Sequence, residues 1–254
     1  MRAFRITAFL AAAVCLCGAV SCSGSKLSSS GGDTAETTAP AAIEAPTGFA
    51  TLDDVIAYVQ KAESSDEPFS FGKIGEKVTP AEGSDEADLG EYYLSPDGVK
   101  LYFDPEKFPA ELVLTLEEYF KAYANADYES YTRCLYPSYI EEMNKFLKNT
   151  PEFGYDLKTS FSKQCFNLQS AKKGGFAVTR IRLEYSDRDP KAFFDYPSNS
   201  FGKDYYAEVS SEVDKFYDGD FFVIVVGEDG TETKLVSEYE IVFAEKDGRY
   251  YTFG

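Results

Sequence analysis

Three of the chain's five cysteines, Cys15, Cys17 and Cys22, stand within eight positions near its start. Thiols at such short spacing suit a metal site or a redox site, and they also occur in export signals. The metal site is disfavoured by its context, because no histidine and no further cysteine stands nearby. The residues around the three thiols decide between these chemistries.

Those residues are typical of an export signal. Arg2 and Arg5 form a short positive region, and an apolar run extends from Ile6 to Val20. Such a run has the length of a signal peptide and is too short to span a bilayer comfortably. Cys15 and Cys17 lie inside the run, where they act as small apolar residues and would leave with the leader.

Cys22 follows Ala19-Val20-Ser21, and this stretch resembles the bacterial lipobox, in which cleavage falls directly before a cysteine that receives a diacylglyceryl group. It departs from the motif at Ala19, where Leu is usual. The sequence predicts a signal peptide over residues 1–21 and a lipid on Cys22, with plain secretion and a metal site as the alternatives. At least two acyl chains on that cysteine would anchor the protein stably to the outer face of a bacterial membrane.

Residues 22–47 are predicted to be the lipidated cysteine and a flexible tether, because Ser, Gly, Ala, Thr and Pro dominate without apolar periodicity. A tether of this length has an r.m.s. reach of roughly 25–30 Å. The net charge of −18 disfavours nucleic acid and anionic lipid headgroups as partners. The sequence has no histidine, which removes His-dependent triads and nearly every catalytic zinc site, and no motif indicates a cofactor or a metal.

Residues 48–112 are predicted to be an N-terminal extension made of a helix and a hairpin. Thr51 is the expected N-cap of the helix, which continues with apolar residues at helical spacing. The hairpin consists of two aromatic-rich runs around Pro96-Asp97-Gly98, and Pro105 ends its second strand.

Residues 113–254 are predicted to be three helices followed by about five antiparallel strands. Thr115 and Glu118 form a capping box for the first helix, which ends at Asn125-Ala126-Asp127. The strands begin with 161–171 and 176–186 around a Lys-Lys-Gly-Gly turn. After a polar insertion over 187–218, in which residues 207–217 have a helical pattern, three further strands are joined by Asp-Gly turns. The fold class is α+β, with helices packed on a curved antiparallel sheet.

The stretch LTLEEYFKAYANADYESYTRCLYP, residues 114–137, resembles the opening of the nuclear-transport-factor-2-like superfamily, also called cystatin-like or SnoaL-like. The closing stretch EYEIVFAEKDGRYYTF, residues 238–253, is similar to the end of such domains. The resemblance implies a cone-like domain over 113–254, whose sheet wraps the first helix and leaves a cavity at the open end. Members use that cavity for isomerases, dehydratases and cyclases, or as a binding surface, and fold alone does not choose between them.

Cys134 and Cys165 are the cysteines that remain after export and lipidation. An exported pair suggests a disulfide. The predicted strand alternation argues against it, since Cys165 would then face away from the helices. Two buried free thiols are the alternative.

Four polar side chains are predicted to line the cavity. Tyr119 and Tyr123 share one face of the first helix, and Thr179 and Tyr239 interrupt apolar strand faces. They would hydrogen-bond a polar ligand; the alternative for the tyrosines is a core face whose hydroxyls reach the rim. The acidic clusters 84–88, 218–220 and 228–232 are better explained by turns than by calcium binding.

These patterns leave three functions open. The first is a membrane-tethered, non-enzymatic module that binds a protein, a peptide or a small ligand. The second is a small-ligand receptor or isomerase-like enzyme that uses the cavity; a buried carboxylate with a raised pKa that faces tyrosine hydroxyls would favour the enzyme. The third is a scaffold in a cell-envelope assembly. An exposed apolar patch on the sheet would support this function.

Overall fold

The computed structural model describes residues 70–84 and 86–254 of the chain. The segments predicted over 1–47, with Cys22, and the helix expected from Thr51 lie outside the described residues. Within the described ranges the fold is α+β, and seven strands form one sheet in which they lie side by side in chain order. The strands are β1 (Lys77–Val78), β2 (Tyr92–Leu94), β3 (Lys100–Tyr102), β4 (Phe176–Tyr185), β5 (Lys215–Gly227), β6 (Glu232–Lys246) and β7 (Arg249–Thr252).

The sheet is antiparallel except for one pair. Strand β3 runs parallel to β4, with Leu101 opposite Ile181. Because a parallel pair needs a long crossover, four helices stand between these two strands. Two more lie in the insertion between β4 and β5. The helices are α1 (Ala110–Asn125), α2 (Tyr128–Arg133), α3 (Pro137–Asn149), α4 (Leu157–Ala171), α5 (Asp195–Phe201) and α6 (Tyr205–Ser210).

The predicted hairpin is confirmed as strands β2 and β3. Its turn is closed by the amide of Gly98, which donates to the carbonyl of Ser95 at 3.0 Å. Gly98 adopts a φ of 80°, which a residue without Cβ reaches at little cost. Through β3 the hairpin joins the same sheet as β4, and helix α1 spans the boundary drawn at residue 112.

Helix α1 is buried on nearly every side and packs against β4, β7, α2 and α4. The predicted capping box is wrong, because the helix begins at Ala110 after Pro109. Thr115 lies in its interior, where its hydroxyl donates to the carbonyl of Glu111 at 2.9 Å. The predicted break after the helix is confirmed. Ala126 is left-handed with a φ of 53°, and Asp127 then caps α2.

The predicted strand over 161–171 is wrong, because this segment belongs to α4. The helix starts at Asp156, whose carboxylate accepts from the amide of Thr159 at 2.8 Å. The residues that α4 buries recur at helical spacing: Leu157, Phe161, Cys165 and Leu168. The expected Lys-Lys-Gly-Gly hairpin is instead the end of this helix, where the amide of Gly174 donates to the carbonyl of Gln169.

Strands β5, β6 and β7 confirm the three predicted closing strands. Helix α6 ends at Ser210 and strand β5 begins at Lys215. The helical pattern predicted over 207–217 is therefore confirmed for residues 207–210 and wrong for the rest. Together with β4 these strands carry the core. Val223, Val225 and Phe243 are among its fully buried side chains. No helix of the described residues is both long enough and apolar enough to cross a membrane.

Candidate ligand-binding cavity

A cavity of about 520 Å³ lies where α1, α3, α4 and α5 meet strands β5 and β6. Most of its wall is apolar or aromatic. The apolar side chains include Phe120, Leu147, Leu157, Leu168, Phe221 and Phe253. A concave, mainly apolar space of this size, with a few convergent polar groups, is the usual form of a small-molecule site.

Strand β6 forms one side of the cavity because its pairing with β5 is irregular. Tyr239 pairs with Phe221, but Val236 already pairs with Val223, so β6 contains an extra residue there, and a second register shift follows. Glu238 within this stretch has a φ of 54°, a conformation uncommon for residues other than glycine. Bulges bend a strand and re-aim its side chains, and every residue from 234 to 241 except Glu238 lies on the lining.

The opposite wall contains an aromatic cluster from α1, α2 and α4. Tyr119 and Tyr123, one helical turn apart, meet edge to face with ring centroids 5.3 Å apart. Tyr131 stacks on Phe161 at 4.6 Å and contacts both tyrosines of α1. Such aromatic pairs contribute beyond the area that they bury, so this wall is held in place before any ligand arrives.

A chain of hydrogen bonds runs along the same wall. The hydroxyls of Tyr119 and Tyr123 are 3.4 Å apart, and Tyr123 donates to Oε1 of Gln164 at 3.0 Å. Nε2 of Gln164 in turn donates to the hydroxyl of Ser160 at 3.3 Å. All four side chains line the cavity. These four side chains form a polar strip that joins α1 to α4 on a wall that is mainly apolar or aromatic.

The tyrosines of this wall stay protonated at neutral pH. Burial is the largest cause that raises the pKa of Tyr119, Tyr123, Tyr131 and Tyr139 above the ordinary value of 10. Because ionisation of a buried hydroxyl has to overcome its desolvation, these groups are neutral donors and acceptors. None of them is poised as a base.

Glu240 is the one side-chain carboxylate on the lining among the described residues. Its Oε1 is 3.6 Å from Nε of Arg188, whose guanidinium also donates to Asp218 at 2.7 Å and to Asp220 at 2.9 Å. Burial raises the pKa of Glu240, Arg188 lowers it, and the two aspartates raise it. The carboxylate thus belongs to a charged cluster and makes no hydrogen bond to a tyrosine hydroxyl in the part of the chain that is described.

Glu117 is a second carboxyl group with a raised pKa, and it lies outside the cavity. It is 3% exposed, and burial raises its pKa to about 7. Its Oε1 accepts a hydrogen bond of 2.9 Å from the hydroxyl of Ser95, in the hairpin turn. The group that most resembles a tuned acid is thus bonded to the hairpin, away from the tyrosine wall.

Of the four side chains predicted to line a cavity, the structure places Tyr119, Tyr123 and Tyr239 on the wall of this one. Thr179 is not on the lining. Strand β4 has a bulge between Val178 and Arg180, which interrupts the alternation on which the prediction rested. The hydroxyl of Thr179 instead donates to the carbonyl of Ile224 at 3.3 Å.

Two polar residues of the wall, Ser160 and Gln164, were missed. They lie one turn apart on α4, and the assignment of 161–171 to a strand hid this relation. The local signal for this helix is Asp156, a residue type that favours the N-cap position, directly before Leu157.

Cys134 and Cys165 are free and buried in the structure, so the disulfide suggested for them is not formed there. Cys134 ends α2, and its Sγ donates to the carbonyl of Ser130 in the same helix at 3.3 Å. Cys165 lies inside α4 and not on a strand, which removes the orientation argument used for it. Burial raises the pKa of both thiols, that of Cys165 to about 12.

The acidic clusters make hydrogen bonds and ion pairs within the protein. Asp229 accepts from the amide of Thr231 at 2.9 Å, and Glu228 accepts from the amide of Gly175 at 2.8 Å. Over residues 70–84 and 86–254 no group of three or more acidic, histidine or cysteine side chains could hold a metal ion. Asp218, from the cluster at 218–220, is paired with Arg188.

Comparisons of the chain with protein-family models, with curated proteins and with solved structures gave no match. The cavity is therefore the feature of the chain that bears on its function. Its size, its neutral tyrosine wall and the placement of Glu240 and Glu117 are the observations that discriminate between binding and catalysis.

Proposed function

We propose that this chain is an exported lipoprotein, anchored through a lipid on Cys22, whose α+β domain binds a small, mainly apolar molecule without transforming it. The observation that carries the binding part is the cavity of about 520 Å³. It is lined mainly by apolar residues and by tyrosine hydroxyls, whose pKa burial raises above the ordinary value of 10. The tether and the lipid rest on the sequence of residues 1–47.

The size of the cavity supports a molecular ligand over a few waters. A cavity of about 150 Å³ lined by apolar side chains stays dry and holds one benzene. The space here is more than three times as large. Burial of an apolar ligand in it would be favourable by roughly 25 cal/mol for each Å² removed from water.

An enzyme that moves a proton would need a base within hydrogen-bonding reach of the ligand. Glu240 is occupied by Arg188, and Glu117 is bonded to Ser95. These placements favour binding over an isomerase-like reaction. The relation to the nuclear-transport-factor-2-like superfamily stays a prediction on which this choice does not depend.

The scaffold alternative has less support. The large apolar side chains that are exposed, among the described residues, are Leu94, Phe166 and Tyr185. They belong to β2, α4 and β4, and a single exposed residue on an element is normal for a soluble surface.

Native mass spectrometry of the protein purified from its own cells tests the binding proposal. We expect a retained small molecule in the wild-type protein and its loss in Val236→Phe, because Val236 lines the cavity. Val226→Phe is the matched control, since Val226 lies on β5 outside the lining. A bare mass for the wild-type protein, with no uptake of apolar probes, would contradict the proposal.

Membrane fractionation tests the anchor separately. We expect Cys22→Ala to be released from the membrane fraction, whereas Cys17→Ala, within the leader, should leave retention unchanged. An inhibitor of the lipoprotein signal peptidase should accumulate the uncleaved form of the wild-type chain. Unaltered retention of Cys22→Ala would refute lipid attachment at this residue.

A further inference from the structure

Building on the proposed function, we propose that the ligand is an uncharged lipophile with one accepting oxygen, such as a ketone, and that Gln164 and Tyr119 donate hydrogen bonds to this oxygen. The proposal concerns the polar strip between α1 and α4. It follows from the donors left over in that strip, from the positions of the two charged side chains on the described cavity wall, and from the volume available.

Gln164 supplies the first donor. Its Oε1 accepts from Tyr123, and one hydrogen of Nε2 is used by Ser160 at 3.3 Å. A primary amide has two N–H hydrogens, and the second one has no acceptor among the described residues. Because Gln164 lines the cavity, a ligand oxygen is the partner that would satisfy it.

Tyr119 supplies the second donor. Tyr123 uses its own proton on Gln164, so the proton between the two tyrosines has to come from Tyr119. Their oxygens are 3.4 Å apart, well beyond the usual 2.7–2.8 Å for two hydroxyls. The hydroxyl of Tyr119 is therefore weakly held and can rotate toward a better acceptor in the cavity.

The positions of the charged side chains on the lining disfavour an ionised ligand group in the interior of the cavity. Lys234 and Glu240 are the charged side chains on the described wall; Lys234 is exposed, and Glu240 lies beside Arg188. A buried charge without a partner is strongly unfavourable. The polar group of the ligand should therefore be neutral, and two donors within one polar strip of the lining select an accepting oxygen.

The volume of the cavity limits the size of the ligand's apolar part. At about 150 Å³ for one benzene, 520 Å³ accommodates about three rings or an equivalent length of acyl chain. Rings would meet Phe120 and Phe221, whose centroids are 5.3 Å apart on the wall. A naphthalene derivative is therefore a suitable probe that does not fill the space completely.

Three naphthalenes of nearly equal shape test the proposal by titration calorimetry with the purified protein. They are 2-acetylnaphthalene, its hydrocarbon counterpart 2-ethylnaphthalene, and the anion 2-naphthoate. Two ordinary hydrogen bonds should make the ketone bind about tenfold or more tighter than the hydrocarbon. The carboxylate should bind more weakly than the ketone by at least about tenfold, because Lys234, the cation on the described wall, is exposed and a charge in the interior would have no partner.

Three variants assign the donors. We expect Tyr119→Phe and Gln164→Leu each to reduce the preference for the ketone over the hydrocarbon several-fold, while the affinity for 2-ethylnaphthalene changes less than about twofold. Tyr128→Phe is the matched control. Its hydroxyl is buried, lies outside the lining and has no hydrogen-bond partner among the described residues, so its removal should leave the preference unchanged.

The outcomes separate this inference from the proposed function. Equal affinity for ketone and hydrocarbon, or tightest binding of the carboxylate, would overturn the inference and leave binding of apolar molecules intact. A ketone preference that survives in both Tyr119→Phe and Gln164→Leu would overturn the assignment of the donors. If none of the three probes binds, the proposed function fails and the inference fails with it.

Discussion

Replacement of Glu117 by Gln should remove a pH-dependent loss of stability. Glu117 is 3% exposed, and burial raises its pKa to about 7 from the ordinary value of 4.5. The hydrogen bond from Ser95 and the charge of Lys121 lower the pKa, but less than burial raises it. Between pH 4.5 and 7 the folded protein therefore holds a proton that the unfolded chain releases.

The direction in which stability changes with pH follows from this difference between the pKa values of the folded and unfolded states. The stabilising contribution of protonated Glu117 is fully present below pH 4.5 and is lost as the pH rises through 7. At 1.36 kcal/mol for each pH unit that separates the two pKa values, the free energy of unfolding falls by about 3 kcal/mol. In Glu117→Gln this fall should disappear, because the amide does not ionise while its oxygen still accepts from Ser95.

Urea denaturation at intervals between pH 4 and pH 8.5 measures the effect. The free energy of unfolding of wild type minus that of Glu117→Gln should fall by about 3 kcal/mol over this range, most steeply between pH 5 and pH 7. Glu152→Gln is the matched control, since it removes a carboxylate from an exposed position. A difference that changes by less than about 1 kcal/mol, or that rises with pH, would refute the burial argument.

Three further changes test other parts of the structure. Arg188→Gln leaves the carboxylate of Asp218, which is 4% exposed, without its guanidinium partner. In urea unfolding at pH 7 the free energy of unfolding should fall by about 2–3 kcal/mol. An unchanged unfolding midpoint would contradict the pairing. Asp127→Ala removes the cap of α2 and should cost about 1 kcal/mol in the same assay, whereas no loss would contradict the cap. Without reductant, a thiol reagent should modify neither Cys134 nor Cys165 in the folded protein and both after denaturation; modification of neither would indicate a disulfide.

Much of the fold could be predicted where one local signal dominates. The hairpin around Gly98 and the strands joined by Asp-Gly turns could be predicted from their turn residues. The segment over 161–171 could not be assigned in this way, because its apolar residues fit both an alternating and a helical pattern. Packing against α1 selects the helix, as the burial of Phe161 and Cys165 on one side shows.

The candidate site was predictable where it depends on helical spacing. Tyr119 and Tyr123 are four residues apart in a long helix, so they had to share a face. Thr179 and the bulged stretch of β6 depend on where extra residues enter the strand pairing. The pairing partner of each strand determines those positions, and a single sequence does not carry that information.

Helix α1 also shows why a raised pKa alone does not identify an active site. Successive residues of an α-helix are 100° apart, so Glu117 and Tyr119 point in nearly opposite directions. Glu117 bonds the hairpin turn, while Tyr119 lines the cavity. The titrating carboxyl is thereby separated from the cavity by the body of the helix. This leaves the tyrosine wall with neutral donors, and neutral donors suit recognition of an uncharged ligand better than proton transfer.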